Sequence, residues 1–265
     1  MSGRRWAGSV VVVGFVTVIG SACQPAAPPE PVAEPSVETH DWTYDGDTGP
    51  ERWGSLNAEF ATCATGTEQS PIDLGGAASA VTDAVTFDYH DSSLELVNNG
   101  HTVQVSYDAG STMQVEGERY ELEQFHFHGP SEHEVAGREY ALEIHFVHQS
   151  AAGQLAVVGV FADVGVRHGA LAPVLDNLPT EVGLPRAVLD ARIAADRILP
   201  RNRSAYHYAG SLTTPPCTEG VHWIVLRDAL TIDAQQLEQY HAVMHRNDRP
   251  VQPPNGRTVA TDGVS

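Results

Sequence analysis

No lysine occurs anywhere in this chain of 265 residues. Its 15 basic residues are all arginine and face 34 acidic ones, for a formal net charge of −19 at pH 7. A surface of that sign repels a phosphate backbone, which excludes nucleic acid as a partner and leaves a strongly hydrated, soluble surface. Cysteine is scarce, at three residues, and neither cysteine nor histidine forms the dense tract expected of a zinc-storage protein. Internal repeats are absent. The apolar stretch at residues 10–19 is too short to cross a bilayer comfortably. What remains is 42% hydrophobic residues and 17 prolines, enough to bury a core in one large domain or two small ones.

The apolar stretch reads instead as part of an export signal. Arg4 and Arg5 supply a positive start, and Gly20, Ser21 and Ala22 are small residues placed just before Cys23. Residues 1–22 therefore read as a signal peptide similar to those of bacterial lipoproteins, in which Cys23 would be lipidated and become the mature N-terminus. Gly20 stands where that motif usually has leucine, so plain cleavage nearby is the alternative. Residues 23–40 contain QPAAPPEPVAEPSVE, an extended Pro/Ala/Glu linker. The expected location is exported, periplasmic or at the cell surface, with membrane contact only through a lipid on Cys23. Cys63 and Cys217 are then left either as two buried thiols or as a disulfide, and export favours the disulfide.

From residue 80 onward short alternating segments are separated by turns such as Asn-Gly and Glu-Gly-Glu. Eight read as strands: VTFDYH, SLELVNNG, TVQVSYD, STMQVEG, RYELEQFHFH, YALEIHFVHQ, LAVVGVFADVG and VHWIVLRDALTI. Helical segments are few, at 168–178, interrupted by Pro173, and at 233–245, where Asp233 is the candidate N-cap. The fold class is mostly β, a single domain over residues 41–258 followed by a tail at 259–265.

One segment, EQFHFHGPSEH at residues 123–133, carries chemistry. On a strand Gln124, His126 and His128 share a face and Phe125 and Phe127 take the other, so the phenylalanines anchor a core while the imidazoles converge. In YALEIHFVHQ the same alternation puts Glu143, His145 and Val147 on one face. Three histidines on neighbouring strands form a donor set for catalytic zinc, with a fourth position left to water; hydrogen-bonded, half-buried histidines are the alternative reading.

FHFH, SEH, ALEIHFVH and SLTTPPCTEGVHWIVL, together with DWTYDGDTGPERWGSL, QSPIDL, LVNNGH and RPVQPPNGR, resemble the α-class carbonic anhydrases in the same order over residues 41–257. The resemblance implies a central twisted, largely antiparallel sheet of about ten strands with short peripheral helices. It implies Zn2+ on His126, His128 and His145, oriented by Gln124, by a backbone carbonyl of Asn247 and by Glu143. Thr213, bonded to Glu132, would orient the attacking oxygen, with Thr214 beside it. Val147, Val157, Leu212, Val221 and Trp223 match an apolar wall for carbon dioxide; Tyr44, Asn99 and Gln104 match a polar wall that orders water. His101 matches the proton shuttle, although a histidine after Asn-Asn-Gly read alone is an exposed turn residue. Only Gly129 and Pro130 separate FHFH from SEH, shorter than in animal members, and Cys63 and Cys217 fall where bacterial relatives place a disulfide.

The implied activity is zinc-dependent, reversible hydration of carbon dioxide to bicarbonate and a proton. The alternatives are a zinc hydrolase with esterase activity and a non-catalytic binding module of the same fold. The partner is a small molecule, and the chain is either a monomer or a homodimer.

Overall fold

Short alternating segments bury apolar side chains most simply by pairing into a sheet. In the computed structural model, which describes residues 42–80 and 84–262, they build one twelve-stranded mixed sheet. Its strands are β1 (Ala78–Ala80), β2 (Thr86–Asp88), β3 (Ser92–Asn98), β4 (Val103–Ser106), β5 (Thr112–Val115) and β6 (Glu118–His128). They continue with β7 (Leu142–Ser150), β8 (Leu155–Val164), β9 (Arg186–Ile193), β10 (Ala205–Ser211), β11 (Glu219–Ile232) and β12 (Ala260–Asp262). The order across the sheet is β1-β12-β10-β11-β8-β7-β6-β4-β3-β9, with β5 also on β6 and β2 on β5. Only the β1–β12 and β8–β11 pairs are parallel.

The eight strands read from sequence are β2 to β8 and β11. The other four are short or poorly alternating. β9 is an edge strand, exposed along most of its length, and its pairing with β3 is interrupted by a register shift between Ser93 and Glu95. β12 lies beyond the domain boundary at residue 258 read from sequence, yet it pairs with β1 and β10, so the sheet runs on to Asp262.

Among the described residues four short α-helices lie outside the sheet: α1 (Trp53–Leu56), α2 (Thr62–Thr65), α3 (Ala172–Leu175) and α4 (Ala234–His241). The segment 168–178 shrinks to α3, with Pro173 in its first turn. Asp233 caps α4: its carboxylate accepts from Gln236 N at 2.8 Å, and the Gln236 side chain accepts from Asp233 N at 3.3 Å. Among the described residues no helix is long and apolar enough to cross a membrane. The signal segment, Cys23 and the linker lie outside the described residues.

β6 holds one irregularity on which the site depends. Leu122 pairs with His148 but Gln124 pairs with Val147, so an extra residue enters β6 between them. Before it, the even positions Tyr120 and Leu122 are buried; after it, the odd positions Phe125 and Phe127 take over the core face. Phe125 and Phe127 pack with Phe146, Ile144 and Val158 in the larger hydrophobic cluster, each burial worth roughly 1.5–3 kcal/mol. A second cluster, with Val157, Val221, Trp223 and Tyr208, covers the other face. Cys63 and Cys217 form a disulfide across a separation of 154 residues, packed against Trp42 and Trp53.

Candidate active site

Two rows of residues cross the sheet side by side. Gln104, His126, His145, Gly159 and Val225 are successive cross-strand partners on β4, β6, β7, β8 and β11. Gln124, Val147, Val157, Trp223 and Tyr208 form the next row, running from β6 to β10. One row carries imidazoles and the other an apolar surface, because side chains two apart on a strand share a face. Val221 joins the apolar row, and Val147 and Leu212 pack against it, half-buried.

His128, two residues on from His126, completes a cluster. Ring centroids are 5.1 Å apart for His126–His128, 5.4 Å for His126–His145 and 4.5 Å for His128–His145. One nitrogen or more of each ring lies within 4.8 Å of the others. Two of the outward nitrogens are hydrogen-bonded and the third faces a carboxylate. His128 Nδ1 donates to the backbone carbonyl of Asn247 at 2.7 Å, and His126 Nδ1 to Gln124 Oε1 at 2.8 Å. Glu143 Oε1 stands 3.0 Å from His145 Nε2. These contacts leave lone pairs on His126 Nε2, His128 Nε2 and His145 Nδ1. Burial lowers the pKa of all three histidines, that of His128 to about 3, so the rings are neutral. His128 Nε2 is buried with no hydrogen-bond partner among the described residues. A buried, unpaired, neutral nitrogen is costly unless something accepts its lone pair, and a borderline divalent cation does so.

Glu143 is held on every side. It accepts from Glu132 N at 3.0 Å, His133 N at 2.8 Å and His133 Nδ1 at 2.8 Å. Burial pushes its carboxyl up, yet His133 and His145 hold it well below the usual carboxylate range. Gly159 makes room for it: a Cβ there would stand 2.8 Å from Glu143 Oε1. Because Glu143 cannot move aside without breaking those bonds, Gly159→Ala is expected to tilt His145 and weaken the hold of the three imidazoles on a divalent cation by roughly 10- to 100-fold, measured by competition with a chelator.

Glu132 and Thr213 lie against the cluster. Glu132 is buried and accepts from Arg249 N at 2.9 Å and from the Thr213 hydroxyl. Burial raises its pKa, opposed by those two hydrogen bonds. Thr214 lines the mouth, and its carbonyl accepts from Cys217 N at 2.8 Å, so the disulfide braces this loop.

The polar side is a cleft of about 170 Å³ lined by Tyr44, Asn99, His101, Gln104, His126 and Thr214, among others. Tyr44 Oη is buried without a hydrogen-bond partner among the described residues. Asn99 Oδ1 accepts from His101 N and Thr102 N, both at 2.9 Å, and so shapes the turn carrying His101. The His101 ring stacks on Trp42, centroids 3.7 Å apart and planes inclined by 9°. Asn247 does more than its carbonyl: Nδ2 donates to His101 O at 3.0 Å, tying the His101 turn to a partner of His128.

Sequence reasoning passed over Trp42, His133, Tyr208 and Arg249. His133 Nε2 lies 2.6 Å from Tyr208 Oη, which lies 2.8 Å from Ser70 Oγ, so a buried polar chain backs Glu143. SEH named His133 but gave it no partner; Tyr208 and Arg249 are 75 and more residues away, beyond any local pattern.

The pattern of the family described as eukaryotic-type carbonic anhydrase matches residues 48–263. A carbonic anhydrase of Pectobacterium atrosepticum is 40% identical over 219 residues, covering 82% of this chain and 89% of that protein. One of Neisseria gonorrhoeae is 43% identical over 223 residues, covering 83% and 87%. The α-carbonic anhydrase of Thermovibrio ammonificans, solved with the inhibitor sulfanilamide, aligns with a TM-score of 0.80 at 45% identity, over 83% of this chain and 98% of that one. Dioscorin, solved with ascorbate, shares the fold at 29% identity and a TM-score of 0.79, over 85% and 100%. A matching pattern over most of the length, relatives near 40% identity and the same sheet together make this chain a member of the α-carbonic anhydrase family.

Proposed function

We propose that the protein is a zinc carbonic anhydrase, hydrating carbon dioxide reversibly to bicarbonate and a proton. The observation that carries this is the set of three inward lone pairs on neutral imidazoles whose other nitrogens are fixed by Gln124, Asn247 and Glu143. Zinc held by His126, His128 and His145 would supply an activated water, its pKa lowered to about 7.

The chain's own residues do the rest. Gln124, the Asn247 carbonyl and Glu143 hold each imidazole in the tautomer that presents a lone pair. Thr213 donates its proton to Glu132, which leaves its oxygen able only to accept, and so selects one orientation of a protonated oxygen in front of it. Val147, Val157, Leu212, Val221 and Trp223 exclude water from one side and hold a neutral, apolar substrate there. Thr214 closes the same mouth. Tyr44, Asn99 and Gln104 present polar groups that order water toward His101. His101 takes up a proton at an imidazole nitrogen and passes it to buffer. The decisive assay pairs zinc content with carbon dioxide hydration rate; zinc-free protein that hydrates as fast as loaded protein would overturn the reading.

The likeness to dioscorin, solved with ascorbate, favours one rival, a non-catalytic module of this fold that binds a small molecule. A protein that takes up zinc stoichiometrically and shows no hydration would support it.

The shuttle has its own test. His101→Ala is expected to leave zinc content and kcat/KM unchanged and to lower kcat roughly 10- to 100-fold in weak buffer. Added imidazole should restore most of the loss. Unchanged kcat would make His101 a turn residue; a collapse of kcat/KM would make it part of the pocket.

We also infer that the domain is exported behind residues 1–22, which the disulfide supports, and that a lipid on Cys23 tethers it through residues 23–40. Intact-mass measurement of membrane-extracted protein checks it: a mature N-terminus elsewhere, or a mass without acyl chains, removes the anchor.

A further inference from the structure

A second pair of imidazoles sits on the opposite face of the sheet. His207 on β10 lies opposite Ile224, and His222 on β11 lies opposite Ala209, so the two are diagonal neighbours on the face that carries the larger cluster. Their ring centroids are 6.0 Å apart with planes inclined by 60°. Within the three-histidine cluster the widest pair stands at 5.4 Å, and the half-buried His222 ring borders open space.

Both rings line a cavity of about 460 Å³ that they share with Glu116, Tyr120 and Gln154. Glu116 projects from the turn between β5 and β6, where its backbone is in the left-handed region at φ 52°. Burial lowers the His222 pKa while the negative charge of Glu116 opposes that shift, so the carboxylate acts on the ring across the cavity. The imidazole cluster of the active site is separate, because Trp223 and Tyr208, the chain neighbours of His222 and His207, point to the other face.

Two imidazoles and one carboxylate around a cavity with room for water are a donor set for borderline divalent transition metals; oxygen-loving Mg2+ and Ca2+ prefer carboxylates and carbonyls. Each imidazole has two nitrogens, so a hydrogen bond at one still leaves the other for a cation. The net charge of −19 raises the local concentration of any cation near the surface. We propose that His207, His222 and Glu116 form a second metal site, taking Cu2+, Zn2+ or Ni2+, distinct from the carbonic anhydrase centre.

The test uses the intact domain carrying one equivalent of zinc, titrated with Cu2+ and desalted, with zinc and copper counted separately by mass spectrometry. The expected result is one copper per chain alongside one retained zinc, with two imidazole nitrogens visible in its electron paramagnetic resonance spectrum. His222→Ala should lose the copper and keep the zinc and the hydration rate. Glu116→Gln, an isosteric change at an exposed turn, should bind copper more weakly than the parent. No copper retained by the parent protein, or copper retained equally by His222→Ala, would overturn the site. Loss of zinc at the first centre is counted independently, so failure of the active-site reading is not confused with failure of this one.

Discussion

Alanine at any one of His126, His128 or His145 is expected to leave the protein folded and without stoichiometric zinc. The expected loss of carbon dioxide hydration is at least about a thousandfold. Two imidazoles on a cleft wall make a weak site, because catalytic zinc draws its affinity from three protein donors in fixed directions. Here the directions are fixed from behind, by Asn247 O at 2.7 Å from His128 and Gln124 Oε1 at 2.8 Å from His126. Losing the cation also loses several kcal/mol of transition-state stabilisation, hence the thousandfold figure. Folding should survive, because Phe125, Phe127 and Phe146 on the reverse face carry the packing of these strands. Metal analysis and circular dichroism on each variant check both halves. One zinc per chain in any variant would remove that histidine from the ligand set.

Breaking the Cys63–Cys217 disulfide is expected to cost about 5 kcal/mol of stability, the chain-entropy value for a closed loop as long as the separation of 154 residues. Activity should decline as well, since both ends of the bridge touch the site's supports. Cys217 N donates to Thr214 O at 2.8 Å, and the buried Arg249 guanidinium donates to Cys63 O at 3.1 Å. The backbone N of the same Arg249 holds Glu132. Urea unfolding of a Cys63→Ser/Cys217→Ser variant measures the first effect, and its hydration rate at low urea the second. Two alkylatable thiols in the native parent protein, or an unshifted urea midpoint in the variant, would refute the expectation.

The parts of the fold that a reader of the sequence recovers are those whose side chains alternate. FHFH and ALEIHFVH declare both their faces, because a strand between a core and a cleft must place apolar and polar residues in turn. β9 declares nothing: at a sheet edge, with both faces largely wet, RAVLDARI has no periodicity to display. β12 is three residues long, below the length at which any pattern exists. In the site, neighbours along one strand were legible, such as Gln124 beside His126. Partners joined by folding alone were not. Tyr208 behind His133, Trp42 under the His101 ring and the Asn247 side chain on the His101 carbonyl are set by topology, and no local spacing encodes them.

The extra residue in β6 makes this centre a matter of odd and even numbers. Upstream of it the even positions belong to the core; downstream the odd ones do, and one inserted residue is what reconciles the two countings. Lengthening the hairpin tip around Gly117 would leave the active-site imidazoles, far along the strand, in place and would move only the turn that carries Glu116. Removing a single residue between Leu122 and Gln124 would be different in kind. The backbone ladder would close without a gap and both halves would keep their faces, since core and cleft positions would then alternate unbroken; what would go is the local bend and added twist of a bulged strand. That single residue therefore contributes curvature rather than facing: it shapes the strand just before the imidazoles enter the cleft.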